Sequence, residues 1–114
     1  MIMRRHRFHG YGSLKSTYSR GQTVRGGLIS LRFARRDPGR PYRVAVVVSR
    51  KVSKSAVIRN RIRRRIYEAI RRQAASIAPG TDLIFTVYGE QLATMEAAKL
   101  QSLVAELLQK TAKP

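Results

Sequence analysis

Five arginines stand within seven positions in the run Arg59-Asn60-Arg61-Ile62-Arg63-Arg64-Arg65, and this run lies inside a pattern of helical apolar spacing. The apolar residues recur three or four positions apart, which places them on one side of a helix. They are Ile58, Ile62, Ile66, Ala69 and Ile70. Disordered basic tails keep no such spacing. The run therefore predicts a folded helix from about Ser55 to Ser76, with isoleucines facing a core and guanidinium groups facing outward.

Basic residues are concentrated in the first two thirds of the chain. Residues 1–72 carry 21 Lys and Arg against 2 acidic residues, whereas residues 73–114 carry 3 Lys against 4 acidic residues. Eighteen of those 21 cations are arginine, whose planar guanidinium pairs bidentately with phosphate and stacks on bases. This asymmetry favours a nucleic-acid partner. A membrane surface fits less well, because no apolar stretch approaches the roughly 18 residues of a membrane span.

Several other classes of protein are disfavoured by what the sequence lacks. Cysteine is absent, which excludes a disulfide framework and a thiolate metal site. No hydrophobic segment follows the basic N-terminus as in a signal peptide. We therefore expect one intracellular domain spanning residues 1–114, with residues 1–12 as a basic, partly flexible arm. His6 and His9 lie in this glycine-punctuated arm, which offers little rigidity for acid–base nuclease chemistry.

Three segments outside the basic helix have the apolar patterns of strands. Val24–Phe33 alternates loosely and predicts one strand, entered through a Gly26-Gly27 bend. The apolar run Tyr42–Val48 predicts a strand buried on both faces. Asp37-Pro38-Gly39 is typical of a turn, so these two strands could form a hairpin. Leu83–Tyr88 predicts a third, largely buried strand, and the strand, helix, strand order indicates parallel pairing.

Two further helices are predicted, one near each end of the chain. Ser13 is expected to cap a short helix over Leu14–Ser19, in which Leu14 and Tyr18 share one face. Thr94 is expected to cap a final helix whose apolar stripe packs on the sheet. This stripe consists of Leu100, Leu103, Val104, Leu107 and Leu108. The patterns together predict a small α/β sandwich with an arginine-rich helix on one side.

The motif RVAVVVSRKV at residues 43–52, followed by AVIRNRIRR at residues 56–64, resembles the protein subunit of bacterial ribonuclease P. The Arg-Asn-Arg triplet is the hallmark of that family. The resemblance extends to Arg7-Phe8, Leu14 and Tyr18 around the first helix, to Asp82–Val87 as the fourth strand, and to Thr94–Leu108 as the last helix. It covers nearly the whole chain.

The resemblance implies a fold and a function. The fold is α+β, in the order α-β-β-β-α-β-α, with a four-stranded mixed sheet and a left-handed β-α-β crossover of the kind also found in a ribosomal protein domain. General rules would favour a right-handed crossover. The implied activity is maturation of the transfer RNA 5′ end in the cytoplasm. A catalytic RNA performs the phosphodiester chemistry, with Mg²⁺ held mainly by that RNA and the substrate, so the protein is an accessory subunit without a catalytic residue of its own.

Candidate RNA contacts follow from the charge pattern and from the resemblance. The arginines of the run are expected to neutralise phosphates, because like charges four residues apart disfavour a free helix. Basic residues that follow the Tyr42–Val48 strand and those of the N-terminal arm are further candidates. The RNA-binding set comprises Arg50, Lys51, Arg59, Asn60, Arg61, Arg63, Arg64, Arg65, Arg4, Arg5 and Arg7.

The resemblance also implies a cleft between the first helix and the sheet, which binds the single-stranded leader of the precursor. Its candidates are Leu14, Tyr18, Leu31, Ser49, Asn60 and Arg64. Whether Leu31 or Arg32 faces the cleft is open. Aromatic stacking there would tolerate any base. In the family the counterpart of Asn60 lies near a bound magnesium, but six acidic residues in the whole chain argue against a protein-built magnesium cage.

The sequence departs from the family pattern in three places. Six residues separate Val52 from Arg59, one more than the commonest spacing, so a remodelled loop before the basic helix is expected. Tyr67 and Tyr88 stand where arginine is usual, and tyrosine could stack on a base there. Two alternative functions stay open: a ribosomal or other basic RNA-scaffold protein, and a DNA-binding module, which is less favoured without a helix-turn-helix pair.

Overall fold

A computed structural model describes His6, Phe8, residues 21–36 and residues 38–111 of the chain. The helix predicted over Leu14–Ser19 and the arm residues Arg4, Arg5 and Arg7 lie outside these described residues. None of the helices in the described ranges is long and apolar enough to cross a membrane.

Four strands and two α-helices make up the described fold. The strands are β1 (Gln22–Arg25), β2 (Ile29–Arg35), β3 (Arg43–Val47) and β4 (Thr81–Val87), and the helices are α1 (Ala56–Arg72) and α2 (Ala97–Thr111). Short 3₁₀ turns lie at Ala74–Ser76 and Glu90–Ala93. The strands form one mixed sheet in the order β1-β2-β4-β3. β3 and β4 are parallel, as predicted, and the other neighbours are antiparallel.

Helix α1 forms where the apolar spacing predicts it. Ser55 caps the first turn, since its side chain accepts a hydrogen bond from the N–H of Ile58. The buried residues of this helix are Ile62, Ile66, Ala69 and Ile70. They join the hydrophobic core against the sheet, which leaves Arg61 and Arg64 on the solvent side.

The strand predicted after the Gly26-Gly27 bend is confirmed as β2, with Ile29, Leu31 and Phe33 buried on one face, but the residues before the bend form a separate strand, β1, that the apolar pattern did not predict. The two strands pair as an antiparallel hairpin around Gly26-Gly27. A Cβ atom on Gly26 would lie 2.5 Å from the carbonyl oxygen of Ile29, so the close approach inside this turn requires glycine. The glycine pair thus precedes β2, as predicted, and also separates it from β1.

The predicted hairpin between β2 and β3 is also wrong, since β4 lies between them and pairs with both. Leu83, Ile84 and Phe85 of β4 are fully buried at successive positions. A strand with this pattern is covered on both faces and belongs in the centre of a sheet. Gly80, at a φ of 77°, makes the turn that leads into it.

β3 is an edge strand and is buried on one face only. Val44 and Val46 are buried, whereas Ala45 is half-buried and Val47 is 37% exposed. The prediction of burial on both faces is therefore wrong. The Tyr67 hydroxyl of α1 accepts a hydrogen bond from the N–H of Val46 at 3.2 Å, so the helix satisfies a backbone group of this edge.

Helix α2 packs on the same face of the sheet as α1. The predicted apolar stripe is confirmed, with one member, Leu103, only half-buried. The buried residues are Leu100, Val104, Leu107 and Leu108. The predicted cap at Thr94 is wrong, because α2 begins at Ala97 and Thr94 instead ends the 3₁₀ turn at Glu90–Ala93.

A buried carboxylate ties the loop between β2 and β3 to the central strand. Asp82 of β4 is fully buried and receives hydrogen bonds from Arg43 at 2.8 and 2.9 Å and from Arg36 at 3.1 Å. Arg36 also donates to the carbonyl of Pro41 at 3.0 Å. Burial disfavours the charged carboxylate, but the hydrogen bonds from Arg43 and Arg36 outweigh it and lower the pKa of Asp82.

We expect Asp82→Asn to lower the free energy of unfolding at pH 7 by about 3 kcal/mol, because two largely buried guanidinium groups lose their counter-charge. Since the folded-state pKa of Asp82 is depressed, the stabilisation is present above the unfolded pKa of about 4 and is lost as the pH falls through the folded pKa. Urea unfolding from pH 7 down to pH 2 should show the difference between wild type and variant narrowing below about pH 4. A gap that stays constant over this range would contradict the assigned ion pairs.

Candidate nucleic-acid interface

The arginines of α1 form a ridge, comprising Arg59, Arg61, Arg63, Arg64 and Arg65, and they differ in what they contact. Arg59 holds the loop that enters the helix. Its guanidinium donates to the carbonyl oxygens of Ser53 and Lys54 at 2.9 and 3.1 Å. The hydroxyl of buried Ser53 accepts the N–H of Ser55 at 3.2 Å. These bonds give the Val52–Arg59 connection a defined shape, so part of the donor capacity of Arg59 is used within the fold.

Arg65 fixes the far side of the helix to the segment between β4 and α2. Its guanidinium donates to the carbonyl oxygen of Leu92 at 2.5 Å and to that of Met95. Leu92 is fully buried, so this contact joins α1 to a closed part of the core. Arg65 was expected to contact RNA, and its position shows that it also has a structural role that the sequence did not reveal.

Arg63 and Asn60 contact each other, since Arg63 donates to the side-chain carbonyl oxygen of Asn60. Arg61 and Arg64 are exposed. Within the described part of the chain neither of these two makes a hydrogen bond or ion pair. Their guanidinium groups, with five donors each, are the ones in the ridge most available to phosphate oxygens.

Beyond the end of β3 the chain makes a basic turn. The N–H of Val52 bonds to the carbonyl of Ser49 at 3.1 Å, which places the exposed side chains of Ser49, Arg50 and Lys51 around this turn. The turn leads directly into the loop held by Arg59. It therefore brings three of the predicted site residues to the same end of the molecule as the start of the ridge.

Leu31 and Arg32 lie on opposite faces of the sheet, and only Arg32 is on the face away from the helices. Leu31 is 0% exposed and packs in the core beneath the helices, so its assignment to the leader cleft is wrong. Alternation along β2 places Arg32 on the other face, where its guanidinium donates to the Thr23 hydroxyl at 2.6 Å. The cleft candidates Leu14 and Tyr18 lie outside the described residues.

Polar and apolar side chains share the part of this face that lies beyond buried Ile84, which is called the open face below. In register across the sheet lie Val47, Thr86 and Ser30. The hydroxyl groups of Tyr88 and Ser30 are 2.9 Å apart, and Tyr88 is 56% exposed. The hydrogen bond therefore holds an aromatic ring on the open face.

The two described residues of the arm lie against the start of β3. The ring of His6 stacks on Tyr42 with centroids 3.8 Å apart, and its Nδ1 lies 2.9 Å from the Tyr42 carbonyl oxygen. The Arg43 guanidinium lies over the ring of Phe8, 4.7 Å from its centroid. Phe8 thus covers an arginine that already pairs with Asp82.

The last turns of α1 carry a cluster that the sequence reading missed. Glu68 accepts hydrogen bonds from Arg71 at 2.5 and 3.0 Å and from Arg72 at 3.3 Å. The hydrogen bond from Arg71, assisted by Arg72, lowers the pKa of Glu68 to about 2. Helical spacing of three and four residues between one acid and two arginines was the available signal.

Comparison with known proteins supports the family expectation. The model of the Ribonuclease P family matches residues 2–112. The ribonuclease P protein component of Synechococcus sp. (strain JA-2-3B'a(2-13)) is 35% identical over 113 residues, covering 96% of this chain and 84% of that protein. The ribonuclease P protein component of Picosynechococcus sp. is 36% identical over 86 residues, covering 75% of this chain and 73% of that protein.

Solved structures share the fold at lower sequence identity. The RNase P protein of Staphylococcus aureus superposes with a TM-score of 0.79 at 20% identity, covering 94% of this chain and 95% of that one. The RNase P protein of Thermotoga maritima gives 0.75 at 22% identity, covering 85% and 89%. The α+β architecture with its mixed sheet and two helices is thereby confirmed.

Because the arginines of the ridge differ in their contacts, we expect substitutions of neighbouring arginines to differ in their effect on the free energy of unfolding. We expect Arg65→Gln to lower the free energy of unfolding by about 2 kcal/mol, because the carbonyl groups of Leu92 and Met95 lose a charged donor. Arg64→Gln is the matched control on the same helix, and it should change stability by less than about 0.5 kcal/mol. Urea denaturation of both variants measures the difference. Equal stabilities would show that the Arg65 contacts do not hold the fold.

Proposed function

This chain belongs to the ribonuclease P protein family, and we propose that it is the protein subunit of a ribonuclease P ribonucleoprotein. In this function it binds the catalytic RNA and the 5′ leader of precursor tRNA and supports endonucleolytic removal of that leader. The observation that carries the proposal is the family match over residues 2–112, joined to a helix on which exposed Arg61 and Arg64 make no hydrogen bond or ion pair with the other described residues.

The ridge and the basic turn at Ser49–Val52 are assigned to RNA phosphates. Arg61 and Arg64 offer complete guanidinium groups, while Arg50 and Lys51 extend the positive surface beyond the end of β3. Phosphate contacts of this kind position an RNA without reading its sequence. The donors of Arg59 and Arg65 are partly used within the fold, so these two residues contribute mainly by holding the surface in shape.

The open face of the sheet is assigned to the single-stranded leader. Tyr88 presents an exposed ring fixed through Ser30, and Val47 adds an exposed apolar side chain in the row beside it. Stacking on an aromatic ring accepts any base, which suits leaders of differing sequence. Arg32 lies on the same face and supplies positive charge.

Magnesium belongs to the RNA and the substrate in this proposal. Among the described residues no three His, Asp or Glu side chains lie together where they could hold a metal ion. Asp82 and Glu68 each bind two arginines, and the Asn60 oxygen accepts from Arg63. A guanidinium on that oxygen disfavours a cation there. The described residues thus do not fit a magnesium cage, and the chemical step is assigned to the catalytic RNA.

Reconstitution tests the proposed function directly. The purified protein alone should leave precursor tRNA uncut, and adding it to its ribonuclease P RNA should restore accurate 5′ cleavage at magnesium concentrations where the RNA alone is slow. Neutralised phosphate repulsion is the physical reason for the lower magnesium requirement. If cleavage is not restored, and the chain instead co-purifies with intact ribosomal subunits, the RNA-scaffold alternative replaces this function.

Arg64 should contribute one phosphate contact. We expect Arg64→Ala to weaken binding to ribonuclease P RNA and to reduce the slope of log affinity against log salt by about one, independent of leader sequence. Lys99→Ala, which removes an exposed charge from α2, is the control and should leave the slope unchanged. An unchanged slope for Arg64→Ala would show that this arginine is a solvated bystander.

A further inference from the structure

Helices α1 and α2 leave a groove between them on the outer side of the helix layer. The groove has a volume of about 300 Å³. Ala69, Ala97 and Leu100 give it an apolar lining, and Leu100 is almost fully buried. Since the isoleucine stripe of α1 faces the sheet, this groove is separated from the open sheet face by the core. It therefore lies apart from the surface assigned above to the leader.

Charge around the groove favours an anionic ligand. Arg64, Arg65 and Arg72 line it together with one acid, Glu68. Glu68 is already paired to Arg72 and to Arg71, which lies outside the groove. Three lining arginines against one carboxylate leave the groove lining with two net positive charges. A polyanion is the class of partner that this balance attracts.

Arg65 supplies a rigid planar surface in the groove. Its guanidinium is held by the carbonyl oxygens of Leu92 and Met95, so its orientation is set by the fold. Guanidinium planes stack on bases in RNA recognition. The Gln101 side chain also lines the groove, and an amide group can both donate to and accept from a base edge.

The dimensions suit one nucleotide. A volume of about 300 Å³ is at the lower end of the range for small-ligand pockets, which fits a single base and excludes a duplex. Arg64 and Arg72 are eight positions apart, about 12 Å along the helix axis. They therefore stand toward opposite ends of the groove, and their long side chains can reach inward to the two backbone phosphates that flank one inserted base, which lie closer together than the two helix positions.

We propose that the α1–α2 groove binds one unpaired nucleotide of RNA. The base rests on the apolar lining beside the Arg65 guanidinium, and Arg64 and Arg72 bind the adjoining phosphates. This site rests on the proposed RNA-binding function and adds a second contact on the opposite side of the protein from the open sheet face. The chemical class of ligand is an extruded ribonucleotide, recognised by stacking and charge and not by a fixed base sequence.

Two alanines that are neighbours on α2 provide a matched pair of variants. Ala97 lines the groove and Ala98 does not, and both are exposed. Ala97→Phe fills the groove without changing any charge, whereas Ala98→Phe adds the same ring beside it. Urea unfolding first establishes that both variants are folded and have similar free energies of unfolding.

The first measurement is an amide NMR titration of the protein with uridine and adenosine 5′-monophosphate. Both nucleotides should shift the amides of Ala97, Leu100 and Gln101, and Ala97→Phe should abolish these shifts while Ala98→Phe retains them. Ribose 5-phosphate is the control that lacks a base and should shift these amides far less. If ribose 5-phosphate gives equal shifts, or if the nucleotides give none, the nucleotide site is overturned.

The second measurement is affinity for ribonuclease P RNA, which separates this site from the general function. Ala97→Phe should weaken binding roughly tenfold, the size of one lost base-stacking contact, while Ala98→Phe binds as wild type. Equal binding by the two variants overturns the groove site and leaves the subunit function standing. Failure of the wild-type protein itself to bind or activate that RNA overturns the subunit function.

Discussion

The basic helix α1 is held in place by its own arginines. Arg59 bonds to the carbonyl groups of the loop before the helix, and Arg65 bonds to those of the segment after β4. The position of α1 over the sheet determines where the ridge, the basic turn and the inter-helix groove lie. A guanidinium with five donors can fix two backbone groups and still present a charged surface. Arginine, in contrast to lysine, therefore serves both the fold and the ligand in this helix.

Local patterns predicted the parts of the fold whose partners lie nearby in sequence. The isoleucine spacing of α1, the Ser55 cap and the stripe of α2 needed only helical periodicity. The order of the strands in the sheet depends on which strands pair with each other over long distances in the sequence, and no local pattern contains this information. β3 and β4 both have continuous apolar runs, and only the folded sheet shows that β4 takes the centre, where its residues 83–85 are fully buried.

The sequence predicts which helix carries the candidate site, but it does not predict which of its arginines are used within the fold. The run from Arg59 to Arg65 identified the surface, but the partners of Arg65 lie 27 and 30 residues away in the sequence. Leu31 and Arg32 are adjacent, and only the side on which the helices pack decides which of them is buried. Alternation along a strand shows which side chains share a face, but only the tertiary fold determines which of the two faces is buried.

Hydrogen bonds of Tyr67 and Tyr88 contribute to the fold without adding to its large positive charge. Residues 1–72 carry a net charge of +19, and within the described residues Asp82 and Glu68 are the acids that pair with several arginines. Tyr67 instead caps the edge of β3 through Val46, and Tyr88 bonds to Ser30, so each provides a hydrogen bond without further repulsion. The remaining positive charge opposes folding through self-repulsion. A polyanion bound to the folded state would relieve this repulsion and stabilise the protein by mass action, so the proposed RNA binding and the free energy of unfolding depend on the same electrostatic balance.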